Sequence, residues 1–274
     1  MYTMPGMGYQ LQETPQEILA SLKAGADLSG ADLYQFNFSG LDLKMINLHR
    51  ATLVRANLNQ AKLDQADLSA ADLRGADLSQ AVLRQANLQA ACLYRVDLSG
   101  ADLSGANLTD AQLQGARYDS QTQFPEGFAY KSIGAIGPGA NLNGAPLNTA
   151  NLRYADLQGA NLLGAYLGGA DLTGANLQGA RLVQADLRRA ILTGAFLRNA
   201  RLNGANLAGV DLRAADLTNV EFEQFESIAG ADFTQVQGLS EVMRSRLLSQ
   251  PASELATPHR LTLKTTLASL SPLS

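Results

Sequence analysis

The chain contains no tryptophan, and aromatic residues make up only 6% of its 274 residues. Hydrophobic residues still account for 46%, so any large core must be built mainly from small aliphatic side chains. The single cysteine, Cys92, excludes an intramolecular disulfide and is typical of proteins in a reducing compartment. The composition therefore predicts a cytoplasmic protein with an aliphatic core.

Signals for export, for a membrane and for nucleic acid are also lacking. Residues 1–24 have no basic start followed by an apolar run, which is the pattern of a signal peptide. No segment approaches the ~18–20 uninterrupted apolar residues that cross a bilayer. The net charge of −4 and the pI near 5.2 are too mild to indicate nucleic acid, and no polybasic tail suggests a membrane surface. We therefore expect neither partner.

Residues that carry chemistry are few and isolated. His49 and His259 are the only histidines, and neither has cysteines or carboxylates at metal-ligand spacing. We expect His49 to be a solvated surface residue. Cys92 has no histidine near it in sequence, and a nucleophile needs a positioned base. The sequence therefore predicts no catalytic residue, no cofactor and no metal.

What the sequence has in abundance is a repeat of five residues. Leucine recurs at this interval over residues 28–118 and again over 142–222, with an aromatic residue replacing it at three positions. Alanine usually stands two residues earlier, and aspartate or asparagine stands between the two. The consensus is Ala-(Asp/Asn)-Leu-x-x, with glycine often in the last place.

A period of five fits neither an amphipathic helix nor a long strand, whose periods are about 3.6 and 2. Within each quintet, however, alanine and leucine are two residues apart, so in extended backbone they point to the same side. The aspartate or asparagine between them points outward and caps the turn that follows. The pattern predicts short inward-facing segments joined by corners, with glycine where positive φ is needed.

These quintets resemble the motif of the pentapeptide-repeat family. The motif stands in ADLSGADL (26–33), ADLSGANLTDAQL (101–113) and ADLTGANLQGARL (170–182), and the resemblance covers about two thirds of the chain. It implies an all-β solenoid, a right-handed quadrilateral β-helix with four quintets per coil. The double array with an N-terminal helix and an FPEGF insert is similar to cyanobacterial members, some of which contact developmental or signalling regulators.

The repeat divides the chain into segments, and open ends of the solenoid require caps. Thr14, Pro15 and Glu17 predict the start of a capping helix. Ser240 predicts the start of a second helix with an apolar face formed by Val242, Met243, Leu247 and Leu248. The predicted segments are an N-terminal segment and capping helix (1–25), a first array (26–118), an interrupting loop (119–139), a second array (140–222), a degenerate quintet with a C-terminal capping helix (223–250) and an irregular tail (251–274).

The interrupting loop has two interpretations. Phe128 and Ile133 keep the phase of the first array, which predicts a worn coil with part of the segment looping out. The segment is either an ordinary connection between arrays that stack as one rod, or a protruding recognition loop. In the second interpretation Phe124, Phe128, Tyr130 and Lys131 lie at its tip and contact a partner.

Two groups of outward positions hold aromatic, apolar or arginine side chains where small polar residues are usual, and we treat them as candidate protein-binding sites. With about twenty residues per coil, residues 20 apart stack in one column. The first group is Tyr34, Val54, Arg74 and Tyr94, flanked by Arg55 and Arg95. The second group is Leu163, Tyr166, Val183, Ile191 and Phe196. Tyrosine and arginine are enriched at interfaces, whereas single apolar residues are routine on monomer surfaces. The second group is alternatively a self-association surface of a homodimer.

Two functions remain open at this point. The first is a non-catalytic scaffold that binds a protein partner through a β-helix face or the loop. The second, implied by the resemblance, is a DNA-mimicking protein that binds DNA gyrase and modulates its activity. The first array (26–118) holds ten Asp against eight Lys and Arg, and the second (140–222) holds six acidic residues against seven Arg. This balance is unlike a polyphosphate and favours the scaffold.

Overall fold

The computed structural model describes residues 27–271, which divide into two units at the boundary between Ala135 and Ile136. The predicted helix within residues 1–25 lies outside the described residues. In both units the quintets wind into coils, and each unit is described below by itself.

The β structure of the coils consists of parallel bridges between single residues twenty positions apart. In the first unit Asp32 pairs with Thr52, and the next three bridges start at Asn37, Asp42 and Asn47 before Thr52 begins the following coil. Each coil therefore has four sides of five residues. The second unit repeats this pattern from the bridge of residues 141 and 161 onward. The prediction of four quintets per coil is confirmed.

Alanine and leucine fill the interior, as the two-residue spacing predicts. Ala61 and Leu63 both have 0% exposure, whereas Lys62 between them is exposed. The backbone N–H of Leu63 donates to the carbonyl of Val82 on the next coil, at 2.7 Å. Coil stacking thus satisfies the backbone polar groups while the lumen stays apolar.

Each corner is a tight turn whose third residue has positive φ. At one of them the N–H of Ala56 donates to the carbonyl of Leu53 at 3.0 Å, and Arg55 has a φ of 57°. The glycines at this repeat position have positive φ, as predicted, but alanine, glutamine and arginine adopt it as well. The next coil fixes this conformation, so glycine is favoured there but not required.

The outward aspartates and asparagines cap these turns. The N–H of Ser79 donates to Oδ1 of Asp77 at 2.9 Å, and the same contact recurs two residues after most outward Asp or Asn residues. This confirms the interpretation of the recurring carboxylates as local hydrogen-bond acceptors rather than paired acids.

The first unit continues past residue 118 into a worn coil. Asp102 pairs with Gln123, which is 21 rather than 20 residues away, and the N–H of Gly115 donates to the carbonyl of Gly134 at 2.9 Å. A single 3-10 turn, Tyr130–Ser132, lies between these contacts.

The second unit extends beyond residue 222, where the sequence predicts that the array ends. Bridges join Asn206 to Ser227, Asp211 to Asp232 and residue 216 to residue 237, each with a spacing of 21. One inserted residue shifts the register, so the later quintets escape a strict five-residue count. The predicted degenerate quintet around Asp232 is one side of this further coil.

Three short helices follow: α1 (Glu241–Leu248), α2 (Ala252–Leu255) and α3 (Thr266–Ser269). Ser240 caps α1 as predicted, since its hydroxyl accepts from the N–H of Met243. The predicted apolar face is not buried as a whole, because Val242 and Leu248 are exposed and only Leu247 is buried. The role of α1 as a cap stays a prediction.

Residues 252–270 pack on the last coil, in contrast to the irregular tail expected there. The hydroxyl of Ser269 accepts from the N–H of Phe233 at 3.1 Å, and Thr266 donates to the carbonyl of Ile228 at 3.2 Å. A carboxylate oxygen of Glu254 accepts from the N–H of Ile228 at 2.8 Å. The tail is ordered because these side chains satisfy backbone groups that no further coil would reach.

Candidate protein-binding surface

The first candidate group forms one continuous corner of the first unit. Backbone hydrogen bonds of 2.9–3.0 Å join consecutive coils there, from the N–H of Gln35 to Val54, of Arg55 to Arg74 and of Gly75 to Tyr94. The predicted column therefore exists. We name it the Tyr/Arg corner and define it by Tyr34, Val54, Arg74 and Tyr94 together with Arg55 and Arg95.

The two tyrosines of the Tyr/Arg corner are open to solvent. Tyr34 is 52% exposed and Tyr94 is 40% exposed, and Val54 between them is half-buried. Tyr34 follows a capped turn, in which Oδ1 of Asp32 accepts its N–H at 3.2 Å. Both rings are thus presented by backbone that the coils hold in place.

Arg55 and Arg95 extend along the corner over glycines of the next coil. The Cγ atom of Arg55 lies 3.7 Å from the position that a Cβ on Gly75 would occupy, and that of Arg95 lies 3.3 Å from the same position on Gly115. The missing side chains leave space for the arginine stems. Both stems therefore run in the same direction, one coil forward.

The three arginines of the corner differ in their partners. The Arg74 guanidinium donates three hydrogen bonds to the Asp72 carboxylate, the shortest being 2.6 Å from Nη2 to Oδ2. The hydrogen bond from Arg74 lowers the pKa of Asp72, outweighing the effect of burial. Within residues 27–271, Arg55 and Arg95 form no ion pair. Two full positive charges are therefore free to bind an acidic group.

The second candidate group is spread over several sides of the second unit. Val183 stacks on Leu163 as predicted, since its carbonyl accepts from the N–H of Gly164 at 2.9 Å. The bridges place Tyr166, Ile191 and Phe196 on three different sides, in the columns of residues 146–227, 151–232 and 156–237. This group therefore offers separate apolar residues rather than one column.

The aromatic residues of the interrupting segment pack together instead of forming an exposed tip. The rings of Phe124 and Tyr130 stack at a centroid distance of 4.4 Å, and both contact the ring of buried Tyr118. Phe124 and Phe128 also pack against the core of the first unit. All three predicted aromatic contact residues are half-buried. These rings therefore do not lie at a protruding tip, because the worn coil packs them into its core; their contact with a partner stays a prediction.

Two exposed large apolar residues of the coils, Tyr154 and Met45, were not predicted from the sequence. Tyr154 is 70% exposed with a φ of 54°, its ring covers Gly174, and Arg153 lies 5.6 Å from the ring centroid. Met45 is 75% exposed with a φ of 59°. A large apolar residue in the last repeat position, where glycine or glutamine is common, is the signal that identifies both.

His49 is not simply solvated, which corrects the expectation for it. It is half-buried, and its Nδ1 lies 2.8 Å from the hydroxyl of Ser69, which donates to Asp67 at 2.6 Å. Burial raises the pKa of Asp67, but hydrogen bonds from Ser69 outweigh this and lower it. The serine gives its one proton to the carboxylate, so His49 is not placed to activate it.

No cluster of three potential metal ligands occurs within 27–271. In the described part of the chain, no helix combines the length and apolar character needed to cross a membrane.

Comparison with known proteins identifies the repeat. The family model described as "Pentapeptide repeats" matches with eight copies, and more than half of the chain is covered. The matched residues are 42–80, 61–100, 81–117, 138–162, 150–189 and 180–219. A comparison with curated protein sequences found no significant match.

Several solved structures are similar to this chain. HetL, a pentapeptide repeat protein involved in heterocyst differentiation regulation from the cyanobacterium Nostoc sp. strain PCC 7120, is 31% identical, with 83% of this chain and 98% of that chain covered and a TM-score of 0.33. Rfr23 from the cyanobacterium Cyanothece 51142 is 27% identical over 40% of this chain and 99% of that chain, with a TM-score of 0.21. QnrB1, a plasmid-mediated fluoroquinolone resistance protein, is 20% identical over 80% of this chain and 95% of that chain, with a TM-score of 0.32.

Proposed function

We propose, from the premise that this chain belongs to the pentapeptide-repeat family, that it is a non-catalytic scaffold whose Tyr/Arg corner binds a protein partner. Proteins of this family are generally structural or binding proteins. The observation that carries the proposal is the combination, on one corner, of two exposed tyrosines with two arginines that form no ion pair within residues 27–271. A cytoplasmic location is part of the proposal and is supported by the single cysteine.

Tyrosine and arginine are the side chains that most often dominate binding energy at interfaces. Here they project from corners whose backbone is hydrogen-bonded to the neighbouring coils, so little backbone entropy is lost on binding. Tyr34 and Tyr94 are three coils apart, which corresponds to about 14 Å at about 4.8 Å per coil. The adjoining sides of the coil must therefore contribute the remainder of a standard interface.

The alternative, a DNA-mimicking gyrase-binding protein, requires a continuous negative surface. In this chain arginines are interspersed with the acidic residues and form ion pairs with several of them. Arg84 pairs with Asp102 in the first unit, and Arg198 pairs with Asp216 in the second. The paired charges favour a protein-binding scaffold over a mimic of a polyphosphate.

Site-specific photo-crosslinking tests the proposal. A photoreactive phenylalanine analogue at position 54 places the probe within the Tyr/Arg corner. The matched control is position 64, which holds Asp64 at the same repeat position of the same coil but two corners away. We expect a specific protein to crosslink in a native lysate from position 54 and not from position 64.

Two further arms of this experiment identify the partner and exclude chance. Replacing Tyr34 and Tyr94 by alanine should abolish the crosslink from position 54, because both are partly exposed and their loss leaves the core intact. Crosslinks that are equal at both positions, or that persist in the double variant, would contradict the proposal. Purified DNA gyrase crosslinking from the position-54 probe would favour the alternative instead.

A further inference from the structure

We infer that the Tyr/Arg corner binds an extended acidic segment of its partner, in which two carboxylates three residues apart contact Arg55 and Arg95. This inference rests on the proposed function and specifies the chemistry of the partner. It follows from the charge, the spacing and the flanking rings of the corner.

Two of the three arginines of the corner keep charges that no carboxylate of the described residues pairs with. Asp72 is paired with Arg74, whereas Asp32 accepts the backbone N–H of Tyr34 and forms no ion pair within residues 27–271. Arg50, on the preceding corner, is exposed. Like Arg55 and Arg95, it forms no ion pair within residues 27–271. A partner that supplies carboxylates would complete these pairs, and charge complementarity of this kind gives specificity.

The spacing of the two arginines selects an extended chain. Arg55 and Arg95 are two coils apart, and their stems run in the same direction over Gly75 and Gly115. Their separation is therefore about 9.6 Å, at about 4.8 Å per coil. In a polyproline II helix, residues three apart lie on the same side and are separated by about 9.3 Å. Carboxylates at positions i and i+3 of such a segment match the two guanidinium groups.

The tyrosines supply apolar surface on the same corner. Tyr34 lies one coil before Arg55, and Tyr94 is adjacent in sequence to Arg95. Polyproline II segments bind to aromatic-lined surfaces, because their conformation is preformed and little entropy is lost. The rings would contact the residues between the carboxylates.

A direct binding experiment uses fluorescein-labelled Glu-Pro-Pro repeated four times, titrated with the full chain at low salt. One control peptide replaces every Glu by Gln. A second has the same composition with its four Glu in one block, which removes the three-residue spacing. We expect the spaced acidic peptide to bind most tightly, and its affinity to fall as salt screens the contacts. Equal binding of the blocked peptide, or tighter binding of the Gln peptide, would overturn the inference.

Matched variants locate the contact. Arg55→Gln/Arg95→Gln removes both charges, and glutamine occupies the same positive-φ position elsewhere in the chain, for example at Gln60 and Gln65. Arg181→Gln/Arg189→Gln removes two exposed arginines that also form no ion pair within residues 27–271. The first variant should weaken binding of the spaced peptide by roughly 3- to 10-fold and the second should leave it unchanged. Equal losses would overturn the inference.

The two proposals can fail separately. If position 54 crosslinks a protein but the spaced peptide does not bind, the scaffold function stands and the acidic-segment inference is wrong. If the spaced peptide binds at Arg55 and Arg95 but position 54 yields no partner, the corner recognises this chemistry and the proposed protein-binding function lacks support.

Discussion

Replacing Leu172 by alanine tests the inward register of the second unit. Leu172 is 0% exposed, and its N–H donates to the carbonyl of Ile191 on the next coil at 2.7 Å. Removing three carbons from a buried site loses about 2.4 kcal/mol of transfer free energy, at about 0.8 kcal/mol per CH₂. Because the stacked coils resist collapse, the residual cavity should bring the loss to about 3–4 kcal/mol.

The matched control is Phe196→Ala in the same unit. Phe196 is 48% exposed, so truncating it should lower the unfolding free energy by only about 1 kcal/mol. Urea unfolding followed by far-UV circular dichroism measures both variants, and hydrogen exchange identifies which coils open in case unfolding is not two-state. The reasoning would be refuted if Phe196→Ala destabilised the protein as much as Leu172→Ala. Leu172→Asp should unfold the unit, since it buries a charge, whereas Phe196→Asp should leave the fold nearly intact.

Three further predictions concern charge, turns and the end of the second unit. Burial raises the pKa of Asp216, but hydrogen bonds from Thr218 and from the side chain of Arg198 outweigh it, so the folded-state pKa is lowered. The stabilisation contributed by ionised Asp216 should thus be present above about pH 4 and be lost as the pH falls through its folded-state pKa. Arg198→Gln should move this loss to higher pH in pH-dependent denaturation. An unchanged profile would contradict the assignment of Arg198 as a cause of the lowered pKa. Ala70→Gly should raise the unfolding free energy by about 0.5–1 kcal/mol, because Ala70 has a φ of 54°, which glycine adopts without strain. Ala71→Gly, at a buried position, should lower the unfolding free energy in the same urea titration. If both variants were less stable, relief of backbone strain at the turn would be excluded. Ser269→Ala leaves a buried backbone N–H of the last coil without its acceptor and should lower the unfolding free energy by about 1–3 kcal/mol in thermal denaturation. Ser271→Ala, at an exposed position, should have little effect.

The coil itself could be predicted from the sequence because one constraint repeats in every quintet. The inward Ala and Leu and the capping Asp are local requirements, so each quintet carries the same evidence. The extra residue after residue 221 leaves a trace in the sequence, since Phe233 lies 11 rather than 10 residues beyond Phe222. The further coil could not be predicted, because this shift of register makes Ala231, Asp232 and Phe233 look like a single isolated quintet. Their pairing becomes visible only when the facing coil is known.

Some parts of the candidate site could also be predicted from the sequence, whereas others could not. The column from Tyr34 to Tyr94 follows from arithmetic on the coil length, so the sequence was enough to place it. The burial of Phe124 and Tyr130 depends on long-range contacts with Tyr118 and the first-unit core. An aromatic-rich interruption has the composition of a binding loop as well as that of a small core, and only packing distinguishes the two. The ordered tail around Ser269 likewise depends on contacts with the last coil, which local composition does not encode.

The last position of the quintet shows how one fold presents different surfaces on different corners. Two other corners of the first unit hold glutamine in consecutive coils, where Gln60 donates to Gln80 at 2.8 Å and Gln65 donates to Gln85 at 3.1 Å. These amides satisfy each other and leave little for a partner to bind.

At the Tyr/Arg corner the same position alternates between arginine and glycine. Arginine in consecutive coils would place like charges about 4.8 Å apart, which is repulsive. Gly75 between Arg55 and Arg95 doubles the separation and gives the first stem room to extend. The positive φ does not by itself mark a binding site, because Ala70 and Ala90 adopt it as well. Our proposal rests instead on the unpaired charge beside exposed rings: folding requires no charge at this position and, within residues 27–271, Arg55 and Arg95 form no ion pair that would return stability for it.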